Sequence, residues 1–208
     1  MSRRPARAAF PEGAVEHLRS ADPVLRAVID RVGDFEPSHE PDLWRALVGS
    51  IISQQLSVRA AATIESRVAA LAPGDGFPAP EELLARPEET LRACGLSGAK
   101  TRYVRDLAAK WTDGSLAIER LPIMDDETVI TELTQVKGIG RWTAEMVLIF
   151  TLGRMDVLPV DDLGTRSAVQ RAYGLDERPG AADLRALGEA WRPFRSVATL
   201  YLWRSLNG

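Results

Sequence analysis

The sequence predicts an all-α fold, and three observations carry that prediction. Apolar residues recur at three- and four-residue spacing along nearly the whole chain, which is the period of amphipathic helices. No segment alternates apolar and polar residues between the Gly or Asn turns that mark paired strands. At 208 residues and 45% hydrophobic content, the chain is long enough to bury a core of its own, about 70% of the surface its unfolded form exposes.

Each helix follows from local signals. A first covers about Glu12 to Ser20. Asp22-Pro23 then supplies an N-cap and a proline at the first helical position for a second, which runs to about Val32. The tract "PDLWRALVGSIISQQLSVRAAATIESRVAALAPGDG" holds two more, from Asp42 to about Gln54 and from about Val58 to Leu71, with a stop at Pro73-Gly74-Asp75-Gly76. "PEELLARPEETLRACGLSGAKTRYVRDLAAKW" reads as two short helices and a longer one, turning between Gly95 and Gly98. Helices near Ile123 to Leu133 and Arg141 to Thr151 flank a short glycine-containing tract. The last three run from Asp162 to Tyr173, Ala181 to Ala190 and Phe194 to Leu206. No solenoid period and no low-complexity segment occurs.

Composition excludes several classes. No run approaches 18 uncharged apolar residues, and the arginines of "MSRRPARAAFPEGAVEHL" precede no apolar stretch, so a soluble cytoplasmic protein without membrane contact is expected. The single cysteine, Cys94, excludes an intramolecular disulfide and a four-thiolate metal site; it reads as a small buried apolar residue. A net charge of −3 speaks against a broad polyanion binder. Positive residues still cluster at Arg3, Arg4 and Arg7, at Lys100, Arg102, Arg105 and Lys110, and at Arg192, Arg195 and Arg204. Taken singly, each cluster reads as a solvated helix face.

The tract "VKGIGRWTAEM" leaves room only for a tight reversal between two helices. Gly138 and Gly140 can take positive φ at no steric cost, so backbone N–H groups can turn outward together at the N-terminus of the next helix. Such amides and the helix dipole favour an anion, most naturally a phosphate.

The tract in its wider setting, "LTQVKGIGRWTAEMVLIF", resembles a helix-hairpin-helix signature, and "RMDVLPVDDLGTRSAV" resembles the aspartate-bearing segment of the helix-hairpin-helix (HhH-GPD) DNA glycosylase superfamily. "WRALVGSIISQQLSVRAAATI", "LRACGLSGAKTRYVRDLA" and "RPFRSVATLYLW" match where that family would place them. The resemblance runs from about Pro41 to Trp203, and its nearest branch is the alkylation-repair group, 3-methyladenine DNA glycosylase II. It implies two helical lobes with an active-site cleft between them: residues 41–121, carrying a wedge loop, and residues 1–40 plus 122–208, carrying the hairpin and a catalytic aspartate.

The chemistry so implied is hydrolysis of the N-glycosidic bond of alkylated purines, such as 3-methyladenine and 7-methylguanine, in base excision repair. The sugar acquires oxocarbenium character in the transition state, and a nearby carboxylate stabilises it and orients water. Asp161 and Asp162 are the candidates, and either also reads as a helix N-cap. Counting without gaps from Trp142 along the alkylation-repair branch selects Asp162, and the residues after it keep that branch's apolar spacing through Val169, so Asp162 is the expected residue; matching "PVD" to the oxidised-guanine branch selects Asp161, which stays the alternative. Trp142 stands where backbone-nicking members carry lysine, so the resemblance implies a monofunctional enzyme with water as nucleophile.

Base flipping requires a pocket and a plug. The resemblance assigns the pocket to Trp142, Met146, Leu163 and Trp203, whose rings would attract a cationic purine; Phe150, on the same stripe as Trp142, reads as core. It places the wedge at Gln55, with Gln54 and Ser57 beside it. It assigns phosphate contacts to Lys137, Gly138, Gly140, Arg141 and Thr143. A structural Na+ or K+ would sit on the main-chain carbonyls of Thr134, Val136 and Ile139, with no other cofactor. The expected partner is double-stranded DNA containing damaged bases, bound by a monomer. Two alternatives stay open: a glycosylase for deaminated or oxidised bases, which would need hydrogen-bonding pocket residues, and a non-catalytic DNA-structure binder, which would not need the proline-to-aspartate segment.

Overall fold

The computed structural model describes residues 6–7, 10–74 and 76–206. The arginines at 3 and 4 lie outside the described residues, as does the side chain of Arg7. Apart from a minimal pairing of β1 (Ala6–Arg7) with β2 (Ser38–His39), the described elements are helical. The chain divides into two compact units, residues 1–41 with 148–208, and residues 42–147.

The first unit contains α1 (Ala14–Ala21) and α2 (Pro23–Val32). As the sequence predicts, Asp22 caps α2 by accepting the Val24 and Leu25 amides, and Pro23 occupies the first turn. The second unit holds α3 (Leu43–Ser53), α4 (Val58–Ala69), α5 (Pro80–Ala85), α6 (Glu88–Ala93), α7 (Gly98–Thr112) and α8 (Asp126–Leu133). The unit boundary falls inside α9 (Arg141–Phe150). The first unit then closes with α10 (Leu163–Tyr173), α11 (Ala181–Gly188) and α12 (Arg195–Ser205).

In the first unit α12 packs against α1, α2 and α10. It buries Ser196, Val197, Ala198, Thr199, Tyr201 and Leu202, so it is covered around most of its circumference. The buried Ser196 hydroxyl accepts the Val157 amide at 2.9 Å and donates to the Arg154 carbonyl at 2.7 Å. Arg195 grips Asp156 through side chain and carbonyl. The start of α12 therefore fixes the segment that leads into Asp161 and Asp162.

In the second unit α7 is the hub, packing against α3, α5 and α6. Residues 122–147, which the resemblance groups with the terminal helices, cluster here with 42–121. Polar ties to α7 and its successors explain this: Asp106 accepts the Lys137 amide at 2.9 Å, Lys110 donates to the Gln135 carbonyl at 3.0 Å, and Glu132 accepts the Ala117 amide at 2.6 Å.

Candidate active site

A turn closed by the Asp162 amide on the Pro159 carbonyl (3.1 Å) brings the chain to α10. Asp161 lies exposed on that turn, whereas Asp162 is partly buried. Asp162 is the N-cap of α10: its Oδ2 accepts the Thr165 amide at 2.6 Å and the Thr165 hydroxyl at 2.9 Å. The Trp203 indole N–H, from α12, donates to the same oxygen at 2.7 Å. The positive end of the α10 dipole also favours a carboxylate here.

The ring of Trp203 stacks on Phe150, with centroids 6.0 Å apart and planes 20° from parallel. Phe150 is half-buried, so the expectation that it is simply core is corrected: it backs the indole that holds Asp162. Gly164 is the other contributor that sequence reasoning missed. A Cβ there would lie 3.0 Å from Asp162 Oδ2 and 3.2 Å from the Trp203 indole nitrogen, so a side chain at that position would crowd the contact between indole and carboxylate. Leu163, next to Asp162, is 63% exposed. A visible signal for Phe150 was its place in the Trp142, Met146, Phe150 stripe; Gly164 carried none.

Within residues 42–147, Trp142 is 48% exposed near the start of α9, and Met146 is half-buried one turn later. The hairpin joining α8 to α9 is anchored by buried Val136 and Ile139. Gly138 takes φ +85°, and the ring of Tyr103 fills the space where its Cβ would project, 2.2 Å away. Gly140 is a correction: its φ is not positive, and no atom lies within 4 Å of a Cβ built on it. The first rung of the α9 ladder is Ala144 N–H to Gly140 carbonyl at 3.1 Å. Amides before such a rung, including those of Arg141 and Thr143, have no acceptor within the helix.

Not every expected phosphate ligand is available as it stands. The Lys137 amide is committed to Asp106 and the Ile139 amide to the Val136 carbonyl, although the Lys137 side chain is exposed. Arg141 forks onto Glu127, bonding both carboxylate oxygens, and its Nε donates to Glu145 at 3.1 Å. The hydrogen bonding it donates to Glu127 is the main reason its guanidinium is held above its ordinary pKa. The Thr143 side chain is buried, leaving only its amide for an anion.

The wedge loop also sorts itself. Gln54 does not project: its Nε2 donates 2.7 Å to the Gly138 carbonyl. Ser57 caps α4 by accepting the Ala60 amide at 3.3 Å. Gln55 alone of the three is exposed with positive φ, at +56°.

In the two basic clusters within the described residues Arg102 and Arg204 are exposed, as the reading of solvated faces expects, while other members are tied to neighbouring groups. Lys100 donates to the carbonyls of Ile52 and Gln54, Arg105 to those of Leu84 and Arg86, and Arg192 and Arg195 pair with Asp156. Arg204 lies over the Phe35 ring, 4.6 Å from its centroid. Cys94 is buried, as expected. No helix among the described residues is long and apolar enough to cross a membrane.

Comparison with known proteins gives a consistent picture. Residues 48–193 match the family model described as HhH-GPD superfamily base excision DNA repair protein. The chain is 34% identical over 193 residues to DNA-3-methyladenine glycosylase 1 of Schizosaccharomyces pombe, covering 91% of this chain and 85% of that protein. Among solved structures, the 3-methyladenine DNA glycosylase of the same yeast, in complex with abasic DNA, superposes with a TM-score of 0.83 at 36% identity over 91% of this chain and 94% of that one. DNA-3-methyladenine glycosidase from Bacillus halodurans superposes at 0.85 with 37% identity, covering 96% and 92%.

Proposed function

The chain belongs to the HhH-GPD superfamily of base excision DNA repair proteins, and from that membership we infer that it is a DNA glycosylase hydrolysing the N-glycosidic bond of alkylated bases, with Asp162 as its catalytic residue. The observation that carries the assignment is the Asp162 carboxylate, capped onto α10 and held on Oδ2 by Thr165 and Trp203. Donors converging on one oxygen fix the group in place, as a preorganised anion must be if it is to stabilise a nascent cationic sugar without reorganising during reaction. Asp161, exposed on the preceding turn, lacks that support.

Alkylated purines of the 3-methyladenine and 7-methylguanine type suit the surroundings. Beside the carboxylate lie the Phe150–Trp203 stack and exposed Leu163, an apolar and electron-rich surface that attracts a positively charged base. Such a base is already a good leaving group. Trp142 offers no amine, so water is the nucleophile and the product is an abasic site.

Double-stranded DNA containing the lesion would be held by a monomer at the hairpin, where the amides around Gly138, Gly140, Arg141 and Thr143 and the Lys137 side chain face one phosphate. The neutral carbonyl oxygens of Thr134, Val136 and Ile139 would be the ligands of a Na+ or K+ ion, whose charge would add to that attraction. Gln55, presented outward by its left-handed backbone, would fill the gap left by the flipped base.

The test is release of methylated bases from methylated duplex DNA by wild type, Asp162→Asn and Asp161→Asn. Asp162→Asn should lose about 10²- to 10³-fold in rate, the scale of removing one preorganised charge contact, while Asp161→Asn stays within a few-fold of wild type. Equal loss in both variants, or loss only in Asp161→Asn, would overturn the assignment.

A further inference from the structure

We propose that Lys100 is a positioning residue for base flipping: from the first turn of α7 its ammonium clamps the end of α3 and so holds Gln55 in the conformation that presents it outward. The inference rests on the reading of Gln55 as the residue that fills the vacated stack.

The last carbonyls of an α-helix have no amide to accept. At the end of α3 Lys100 Nζ donates 2.8 Å to the Ile52 carbonyl and 2.6 Å to that of Gln54. Between them the chain leaves the helix: Gln54 turns extended, with φ −50° and ψ 126°, and Gln55 swings to φ +56°. Among the described residues Gln55 is the one non-glycine with positive φ. Side chains with a Cβ resist this region, and it persists only where the surroundings over-determine it.

Those surroundings are a clamp on each side. Lys100 holds the backbone from α7, and the Gln54 side chain reaches the Gly138 carbonyl of the hairpin. Both act on the residue immediately before Gln55. Lys100 is partly buried, and that burial lowers its pKa, a cost that an apolar side chain of the same length would not carry. Its two carbonyl bonds are what the ammonium supplies in return: they hold the turn, closed by the Leu56 amide on the Ser53 carbonyl at 3.1 Å, in which Gln55 is left-handed. A plug held ready before DNA arrives avoids ordering a flexible loop during flipping.

The experiment is a double-mutant cycle on single-turnover excision from a methylated duplex oligonucleotide, with thermal melting of each protein. Gln55→Ala and Lys100→Met should each slow excision, the latter by about tenfold, and the double variant should be no slower than the slower single, because both act through one plug. Lys100→Arg, which keeps charge and donors, should retain most of the rate, and Lys100→Gln, which loses the charge, carries the same cycle if the methionine variant melts early. A slow Gln55→Ala with an unchanged Lys100→Met overturns the Lys100 role alone. So does a Lys100→Met effect of undiminished size in the Gln55→Ala background, which would mark it as a general stabiliser. A Gln55→Ala variant as fast as wild type removes the plug itself and the proposal with it.

Discussion

At the scale of single residues, the candidate site is packed closely around a glycine. Gly164 leaves open the space through which the Trp203 indole reaches Asp162. Its φ is ordinary, so alanine would introduce no backbone strain and the effect would be purely steric. Gly164→Ala should push the indole off Oδ2, cutting excision roughly tenfold, the equivalent of a charged hydrogen bond of about 1.4 kcal/mol, with a melting temperature within a few degrees of wild type. Excision kinetics and a melting curve on the same preparation check this; an unchanged rate would mean that the Trp203 bond does not support the reaction. Nothing in the string "DDLGT" marks this glycine, because its neighbour comes from a helix far along the chain. The aspartate pair was legible and the family spacing favoured Asp162; the Trp203 bond to it, from 41 residues away, was not legible.

At the scale of elements, the hairpin separates two glycines that look alike in sequence. Gly138 combines φ +85° with a Tyr103 ring packed where a side chain would project; Gly140 has neither constraint. Gly138→Ala should therefore destabilise the protein by about 2–3 kcal/mol, from strain and overpacking together. Gly140→Ala should leave the melting curve nearly unchanged and weaken DNA binding, because its added methyl stands at the helix start that would meet phosphate. Thermal melting and a duplex-binding titration at fixed salt read the two effects, and a Gly140→Ala variant with wild-type affinity would move the phosphate away from that amide cluster. The tight reversal itself was readable from the short spacing between periodic segments. The burial of Tyr103 against Gly138 was not, since it joins α7 to the hairpin through space.

At the scale of the whole molecule, Asp22 ties distant parts of the chain into the first unit. Besides capping α2, its Oδ2 accepts the Tyr173 hydroxyl and, at 2.8 Å, the Trp191 indole N–H. Burial alone would raise its pKa, but the bonds from Trp191, Tyr173 and the two amides outweigh it, and the carboxyl lies below its ordinary value. Its contribution to stability is therefore fully present above about pH 3.9, the ordinary aspartate value, and is lost as pH falls through the lower folded-state value. Asp22→Asn should cost about 2 kcal/mol at neutral pH. Its melting temperature should approach that of wild type as acid protonates Asp22. Curves that stay parallel down to low pH would refute the role. The N-cap of α2 was evident from Asp22-Pro23, whereas Tyr173 and Trp191 as partners were not.

Sequence alone determined the properties that depend on neighbours along the chain. Helical period, the Asp22 cap, the glycine reversal before α9 and the pair of aspartates before α10 all arise from residues within a few positions of one another, where backbone geometry leaves little choice. Tertiary structure alone decided which of those features meet. Asp162 with Trp203, Gly138 with Tyr103, Lys100 with the end of α3, and the placement of residues 122–147 with 42–121 are each selected by packing between segments far apart in the chain, whose separation in space no local pattern encodes.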